Sequence, residues 1–299
     1  MGGVRARIAL TIAGSDPSGG AGIQADLKTF HQFGVYGMSV LTLLTVQNTC
    51  RVSAVEMLPA QFVLDQLDAV LEDLPPHAAK TGALGSREVI EAIADRAAHF
   101  AFPLVVDPVM ISKHGAPLLQ EDARAVLARR LLPHAFLVTP NVHEAMALAG
   151  KEFSGPASLP ASLSTSLPAS LSSVLEDAAR AIADLGPQAV LIKGGHLVAD
   201  ATDLLYAEGR FHSFPGKRIE TPHTHGTGCT YSAAIATQLA HGRALEDAIV
   251  RAKAYVTEAI RAGLPIGQGI GPTDHFFYLR RPGECERWVA RLAGTEGCR

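Results

Sequence analysis

An α/β fold, with a central mostly parallel sheet flanked by helices on both faces, is predicted by two features of this sequence. Short apolar runs alternate with amphipathic stretches of about 10–15 residues, the rhythm of right-handed strand–helix–strand crossovers. Two of those runs, "PLVVDPVM" and "AVLIKGG", are almost continuously apolar, as strands covered on both faces are.

Taken in chain order, strands are expected at "RIALTIAG", "GMSVLTLLTVQ", "AAKTG", "PLVVDPVM", "AFLVTP", "AVLIKGG", "ATDLLYAEG" and "RFHSFPG". A glycine-rich connection, "AGSDPSGGAGIQADLKTF" (residues 13–30), runs into a helix that ends near Phe33. Further helices are expected over Ala60–Asp73, Ser86–His99, Glu121–Arg130, Val142–Ala149, Val174–Leu185, Thr227–His241 and Leu245–Ala262, with Gly242 as a C-terminal stop. Residues 154–174, "SGPASLPASLSTSLPASLSSV", carry no charge and no aromatic. Such a Ser/Pro-rich stretch buries too little surface to offset its ordering entropy, so a flexible surface insertion is expected there. After Phe277 a short helical tail is expected, with Trp288 packed on the body.

The 299 residues include 26 basic and 29 acidic side chains, a net charge of −3, and no basic run that could track a nucleic-acid backbone. Cys50, Cys229, Cys285 and Cys298 are widely spaced without a CxxC pair, which argues for a reducing cytoplasm and against a zinc site or disulfide framework. No apolar run is long enough to cross a membrane, and the N-terminal one is too short for a signal peptide.

Several segments could carry chemistry. The four glycines between Gly14 and Gly22 permit close approach of a ligand, and no Walker lysine or dinucleotide fingerprint accompanies them. The plain reading of this loop is a connection, with Asp26 on the exposed face of the first helical turns. Gln47 ends a strand, where ligands of open α/β sheets bind; it also reads as a polar strand cap. Asp107 in "VVDPVM" and Glu144 in "TPNVHEA" leave strand ends as acids that suit magnesium or a phosphate-facing role, although Glu144 equally suits a helix dipole. Lys193 in "LIKGGH" could neutralise phosphate charge. In "HGTGCTYSAAIATQLAHG", Gly226 and Gly228 permit a tight turn into a helix whose free N–H groups make an anion hole. Cys229 in that first turn is expected to have a lowered pKa, against the alternative of a small buried hydrophobe.

The segments "GSDPSGGAGIQADLKT", "TVQNT", "KTGALGS", "DPVM", "TPNVHEA", "IKGGH", "HGTGCTYSAAIA" and "IGQGIGPTDHF" together resemble, in order, the hydroxymethylpyrimidine/phosphomethylpyrimidine kinases of thiamine biosynthesis. The resemblance runs from about Arg7 to Phe277 and implies one ribokinase-like domain over 1–277 with a small strand lid, followed by a tail over 278–299. It implies ATP as phosphoryl donor, magnesium as cofactor and a homodimer formed through the lid. Gln47 and Asp26 correspond to residues that hold the aminopyrimidine, with the Gly14 backbone and the Val109 side chain closing the pocket. Cys229 corresponds to the catalytic base, and the amides of Gly226, Thr227, Gly228 and Cys229 to the anion hole. Lys193, Asn141 and Thr227 correspond to nucleotide or phosphate contacts, and Asp107 and Glu144 to water-mediated magnesium ligands. Ala83 stands where relatives often carry methionine, and Gln268, Ile270 and Asp274 where His, His and Asn are expected, a difference assigned to C-terminal packing. A pyridoxal kinase of the same fold and a non-catalytic pyrimidine-binding protein are the alternatives.

Overall fold

The computed structural model describes residues 6–120, 122–150, 169–196 and 201–277. Nine strands form one sheet: β1 (Ile8–Ser15), β2 (Tyr36–Gln47), β3 (Val52–Met57), β4 (Ala78–Thr81), β5 (Leu104–Val106), β6 (Leu137–Val138), β7 (Ala189–Ile192), β8 (Asp203–Ala207) and β9 (Arg210–Phe214). Their spatial order is β3-β2-β1-β4-β5-β6-β7-β8-β9. Neighbours from β2 through β7 run parallel, whereas β3, β8 and β9 are added antiparallel at the two edges.

Alternation along the central strands sends side chains to two separate helical layers. Leu10 and Ile12 of β1 enter one core with Val63 and Leu67 of α2 (Ala60–Asp73) and with Ile90 and Ile93 of α3 (Arg87–Ala97). That layer continues through α4 (Ala123–Val126), α5 (Val142–Leu148) and α6 (Ala169–Ala183). Ala9 of β1 enters the opposite core with Phe30 of α1 (Gly22–Gln32), Ile235 of α7 (Thr227–Ala240) and Tyr255 of α8 (Leu245–Arg261). Every residue of α7 from Thr230 to Ala240 is buried, and its alanines let it lie close against the sheet between α1 and α8.

A buried carboxylate ties this layer together. Asp203 of β8 accepts Lys253 Nζ from α8 at 2.6 Å, the Tyr231 hydroxyl from α7 at 2.8 Å and the Gly194 N–H after β7 at 2.8 Å. The α1, α2, α3, α5, α7 and α8 boundaries fall within about two residues of their sequence expectations, inside the usual spread of helix ends. Other elements differ. "PLVVDPVM" forms a strand only over Leu104–Val106, because Pro108 lacks the N–H a ladder needs. The helix expected from Glu121 is α-helical over Ala123–Val126 and continues as a wider π turn over Leu127–Leu131. β3 was not expected: its side chains are exposed or half-buried, so no apolar run marks it. Residues 169–174 are the start of α6 rather than part of the insertion; the remainder of that insertion and the tail with Trp288 lie outside the described residues.

The lid arises from one long strand. Met38, Val40, Thr42 and Leu43 of β2 are buried, and past a register irregularity between Leu41 and Leu44 the strand exposes Leu44 (42%) and Val46 (62%) where β1 ends. Beyond Leu44 only β3 pairs with β2, so the strand projects as a two-stranded ribbon.

The Asp203 network yields a stability prediction. Lys253→Met strands a carboxylate in the interior and is expected to cost about 3–5 kcal/mol in urea unfolding. Adding Asp203→Asn to that variant is expected to restore part of the loss.

Candidate active site

The sheet reverses its winding between β1 and β4, since β2 lies on one side of β1 and β4 on the other. Ligands of open α/β sheets bind at such a point, outside the carboxyl ends of the strands. Here an ion pair occupies it. Lys80 of β4 and Asp26 of α1 are both fully buried, with Nζ to Oδ2 at 3.0 Å, and the Thr11 hydroxyl donates to the same oxygen at 2.6 Å. Asp26 is therefore not on an exposed helical face, because α1 turns that face onto β1 and β4. Its other oxygen, Oδ1, is buried with no hydrogen-bond partner among the described residues. Burial opposes the charge on Lys80, but Asp26, Cys229 and Asp107 together hold its amine above the usual lysine range.

Helix α7 begins above this pair. Its N-cap, Gly226, sits at φ +75°, and a Cβ there would collide with the Gly20 carbonyl oxygen. Only glycine meets both demands. The amides of Gly228 and Cys229 lie in the first turn, where a helix supplies no acceptors, and the Thr227 N–H makes a long bond to the Thr224 carbonyl at 3.4 Å. A Cβ on Gly228 would lie 3.5 Å from Lys193 Nζ and 3.7 Å from Asp107 Oδ2, so this turn abuts a second ion pair.

Cys229 is half-buried, and its thiol is pushed up to about 11. Burial is the main cause, reinforced by Asp26 and Asp107 and countered by Lys80 and the Gly22 amide. The expected lowering is overturned: two carboxylates and desolvation outweigh the helix terminus. The thiol is protonated at neutral pH.

The second pair joins Lys193, which follows β7, to Asp107, which follows β5, at 2.7 Å. The Ser232 hydroxyl of α7 donates to Asp107 Oδ2 at 3.2 Å and Thr139 to Oδ1 at 3.3 Å. Glu144 and Asn141 form a capping box at the start of α5: Asn141 Oδ1 accepts the Glu144 N–H at 3.0 Å, and Glu144 Oε2 accepts the Asn141 N–H at 2.8 Å. Both residues thus have a structural duty. Glu144 also faces Lys193 and Asp107, and burial raises its carboxyl to about 7, with Lys193 pulling down and Asp107 pushing up. Among the described residues no three His, Cys, Asp or Glu side chains gather to cage a metal. Two hard carboxylates beside one lysine fit a magnesium ion that keeps water and shares phosphate ligands.

A further buried histidine joins the glycine loop to the lid. His225 is buried, with Nε2 at 2.7 Å from Asp16 Oδ2 and 3.2 Å from Gln47 Nε2. Asp16 also accepts Ser18 N–H and Oγ and Ala21 N–H, which shapes the glycine loop. Burial works against ionisation of Asp16, yet His225 and Ser18 hold its carboxyl below the usual range. Gln47 and Thr45 lie on the lid face opposite Leu44 and Val46, and Thr45 donates to the Ser15 carbonyl at 3.0 Å. Gly14 precedes that serine on β1, and Val109 follows Asp107 half-buried. Asp16, His225 and Lys80 all lay inside quoted motifs. Their signal was a charged or polar residue within an otherwise apolar or glycine-rich segment.

Residues 267–270 bear on the lid rather than on C-terminal packing. Ile270 N–H donates to the Thr49 carbonyl at 2.8 Å and Gly269 N–H to Thr49 Oγ1 at 3.2 Å. Gln268 is exposed, whereas Asp274 is buried and caps Phe276 at 2.9 Å. Ala83 contributes its carbonyl, which the Thr42 hydroxyl meets at 2.6 Å.

A family model described as phosphomethylpyrimidine kinase matches residues 16–274. A hydroxymethylpyrimidine/phosphomethylpyrimidine kinase of Synechococcus elongatus is 47% identical over 274 residues, covering 91% of this chain and 98% of that one. The thiamine biosynthesis bifunctional protein ThiED of Geobacter sulfurreducens is 49% identical over 268 residues; the match covers 89% of this chain and 51% of that protein, so the chain spans about half its length. Among solved structures, the pyridoxal kinase of Staphylococcus aureus in complex with AMP-PCP and pyridoxal has a TM-score of 0.79 at 35% identity, covering 93% of this chain and 96% of that one.

The raised Glu144 carboxyl gives a signed prediction. Its folded pKa exceeds the ordinary 4.5, so the native state holds an extra proton from there to about 7. Stability is therefore expected to fall as pH rises through that window, by up to roughly 3 kcal/mol. In urea unfolding across that range, Glu144→Gln is expected to flatten the slope.

Proposed function

The chain belongs to the phosphomethylpyrimidine kinase family, and from that premise we propose how its residues divide the work. It is a phosphotransferase of thiamine biosynthesis with the ribokinase-like fold. Its reaction is ATP-dependent phosphorylation of 4-amino-5-hydroxymethyl-2-methylpyrimidine to the monophosphate, and of that product to the diphosphate. The observation that carries the assignment of roles is the position of the first turn of α7. It has the Lys193–Asp107 pair on one side and, through Cys229, the charges of Lys80 and Asp26 on the other.

Gln47 and the free oxygen of Asp26 recognise the aminopyrimidine: an exocyclic amine can donate to a buried carboxylate oxygen that has no other partner. The Gly14 backbone and Val109 line the same pocket. The amides of Gly226, Thr227, Gly228 and Cys229 hold the phosphoryl group in transfer. Lys193 and Asn141 face the nucleotide phosphates. Magnesium, when bound, neutralises phosphate oxygens and is held through water by Asp107 and Glu144. Phosphoryl transfer of this kind needs positioning and charge neutralisation, which paired buried charges supply at fixed places.

Cys229 accepts the substrate's hydroxyl proton. Because its thiol titrates at about 11, the competent thiolate is a minor species at neutral pH. The exposed apolar pair Leu44 and Val46 on the lid supports a homodimer formed through β2 and β3. Unpaired Cys50 and Cys229 fit a cytoplasmic location.

A second reading, pyridoxal phosphorylation, is favoured by the likeness to the S. aureus pyridoxal kinase. A panel of the pyrimidine alcohol, its monophosphate and pyridoxal, with products identified, separates the two. Turnover of both pyrimidines is expected, and consumption of pyridoxal alone would reverse the assignment. For the base, kcat is expected to climb steadily from pH 6 to 9 without a plateau near 7. Cys229→Ala is expected to flatten that climb and to lower the neutral-pH rate by about 10²–10⁴-fold. A flat wild-type profile with a mild loss in Cys229→Ala refutes the base role and leaves the kinase reading standing.

A further inference from the structure

We infer that His114 and His225 form a two-imidazole subsite that takes the phosphate of the phosphorylated pyrimidine when it is bound for the second transfer. The inference rests on the kinase reading above and adds a determinant for the anionic substrate. Two observations carry it. His225 Nδ1 and His114 Nε2 are both buried without a hydrogen-bond partner among the described residues. The two rings face each other at a tilt of 34°, with centroids 6.1 Å apart.

The location suits that ligand. His225 stands between Gln47, which it contacts, and Gly226, which opens the anion hole. A molecule reaching from Gln47 toward the first turn of α7 therefore passes its 5-substituent beside His225. In the first transfer that substituent is a neutral alcohol, and the anion hole holds the phosphoryl group arriving from ATP. In the second, the substrate's own phosphate must be the nucleophile, so it has to sit one phosphate-length short of the hole. His225 directly precedes the hole in the chain.

His114 reaches this place by a closed turn. Ser112 N–H donates to the Ala116 carbonyl at 2.8 Å, Gly115 N–H to the Ser112 carbonyl at 3.0 Å, and Ala116 N–H to Ser112 Oγ at 2.9 Å. The turn is anchored by Leu118 N–H on the Met110 carbonyl and Gln120 N–H on the Gly85 carbonyl. The charged and titratable groups around the pair are Asp16, which holds His225 Nε2, Lys113, beside His114, His275, which feels the charge of His225, and Lys28, which feels that of Asp16. Burial, His225 and Lys113 lower the His114 pKa while Asp16 raises it, so the ring is neutral until an anion arrives. With Asp16 and Gln47 both at Nε2, Nδ1 is the ring nitrogen of His225 left open to a ligand.

The test is the ratio of kcat/KM for the monophosphate to that for the alcohol, measured in wild type, His114→Ala and His114→Gln. The ratio is expected to fall at least about tenfold in His114→Ala, the loss of one charge-assisted hydrogen bond. It is expected to recover in His114→Gln, whose amide N–H replaces the Nε2 donor. Parallel loss of both steps, or an unmoved ratio, overturns the subsite alone. A wild-type protein that phosphorylates neither pyrimidine overturns the kinase reading and the subsite together.

Discussion

The contact on which the rest of the site depends is between two stretches of glycine backbone. Gly226 approaches the Gly20 carbonyl too closely for any side chain, and its left-handed conformation starts α7 at that spot. The glycine-rich loop after β1 and the first turn of α7 therefore share one junction. Asp16 reinforces it from below by gathering the loop amides and His225 at once.

Around that junction, charge is stored in neutral pairs. Lys80 with Asp26 and Lys193 with Asp107 are each an internal ion pair at a strand end. Such pairs contribute little net stability, because desolvation offsets their attraction. Their value lies in what they leave available. Asp26 keeps an oxygen with no partner among the described residues, and Lys193 and Asp107 stand beside the first turn of α7. Burial and Asp107 raise both Cys229 and Glu144, and Asp26 adds to the effect at Cys229.

Much of this was legible from the chain. Strand–helix alternation, the glycine turn into α7 and the acids at strand ends follow from local pattern, and the resemblance set them in order. Pairing across the fold was not legible. Lys80 lies 54 residues from Asp26, and no local rule links a lysine on a buried strand to an acid on the first helix. The Cys229 pKa failed for the same reason: the helix dipole can be read from four residues, while desolvation and two distant carboxylates cannot. β3 escaped because an edge strand exposed along its length carries no apolar signature. Ile270 was assigned to the wrong neighbourhood because its partner, Thr49, is more than two hundred residues earlier.

The long β2 strand also sets the course of the lid. A single stretch of 12 residues serves first as a core strand and then as the lid, with the ladder to β1 continuing to Leu44 and that to β3 taking over from Leu43. The ladder to β1 slips by one residue between Leu41 and Leu44, at the root of the ribbon. An irregularity of that kind bends and twists the strand that carries it, so one extra residue in β2 sets the direction in which the lid leaves the sheet.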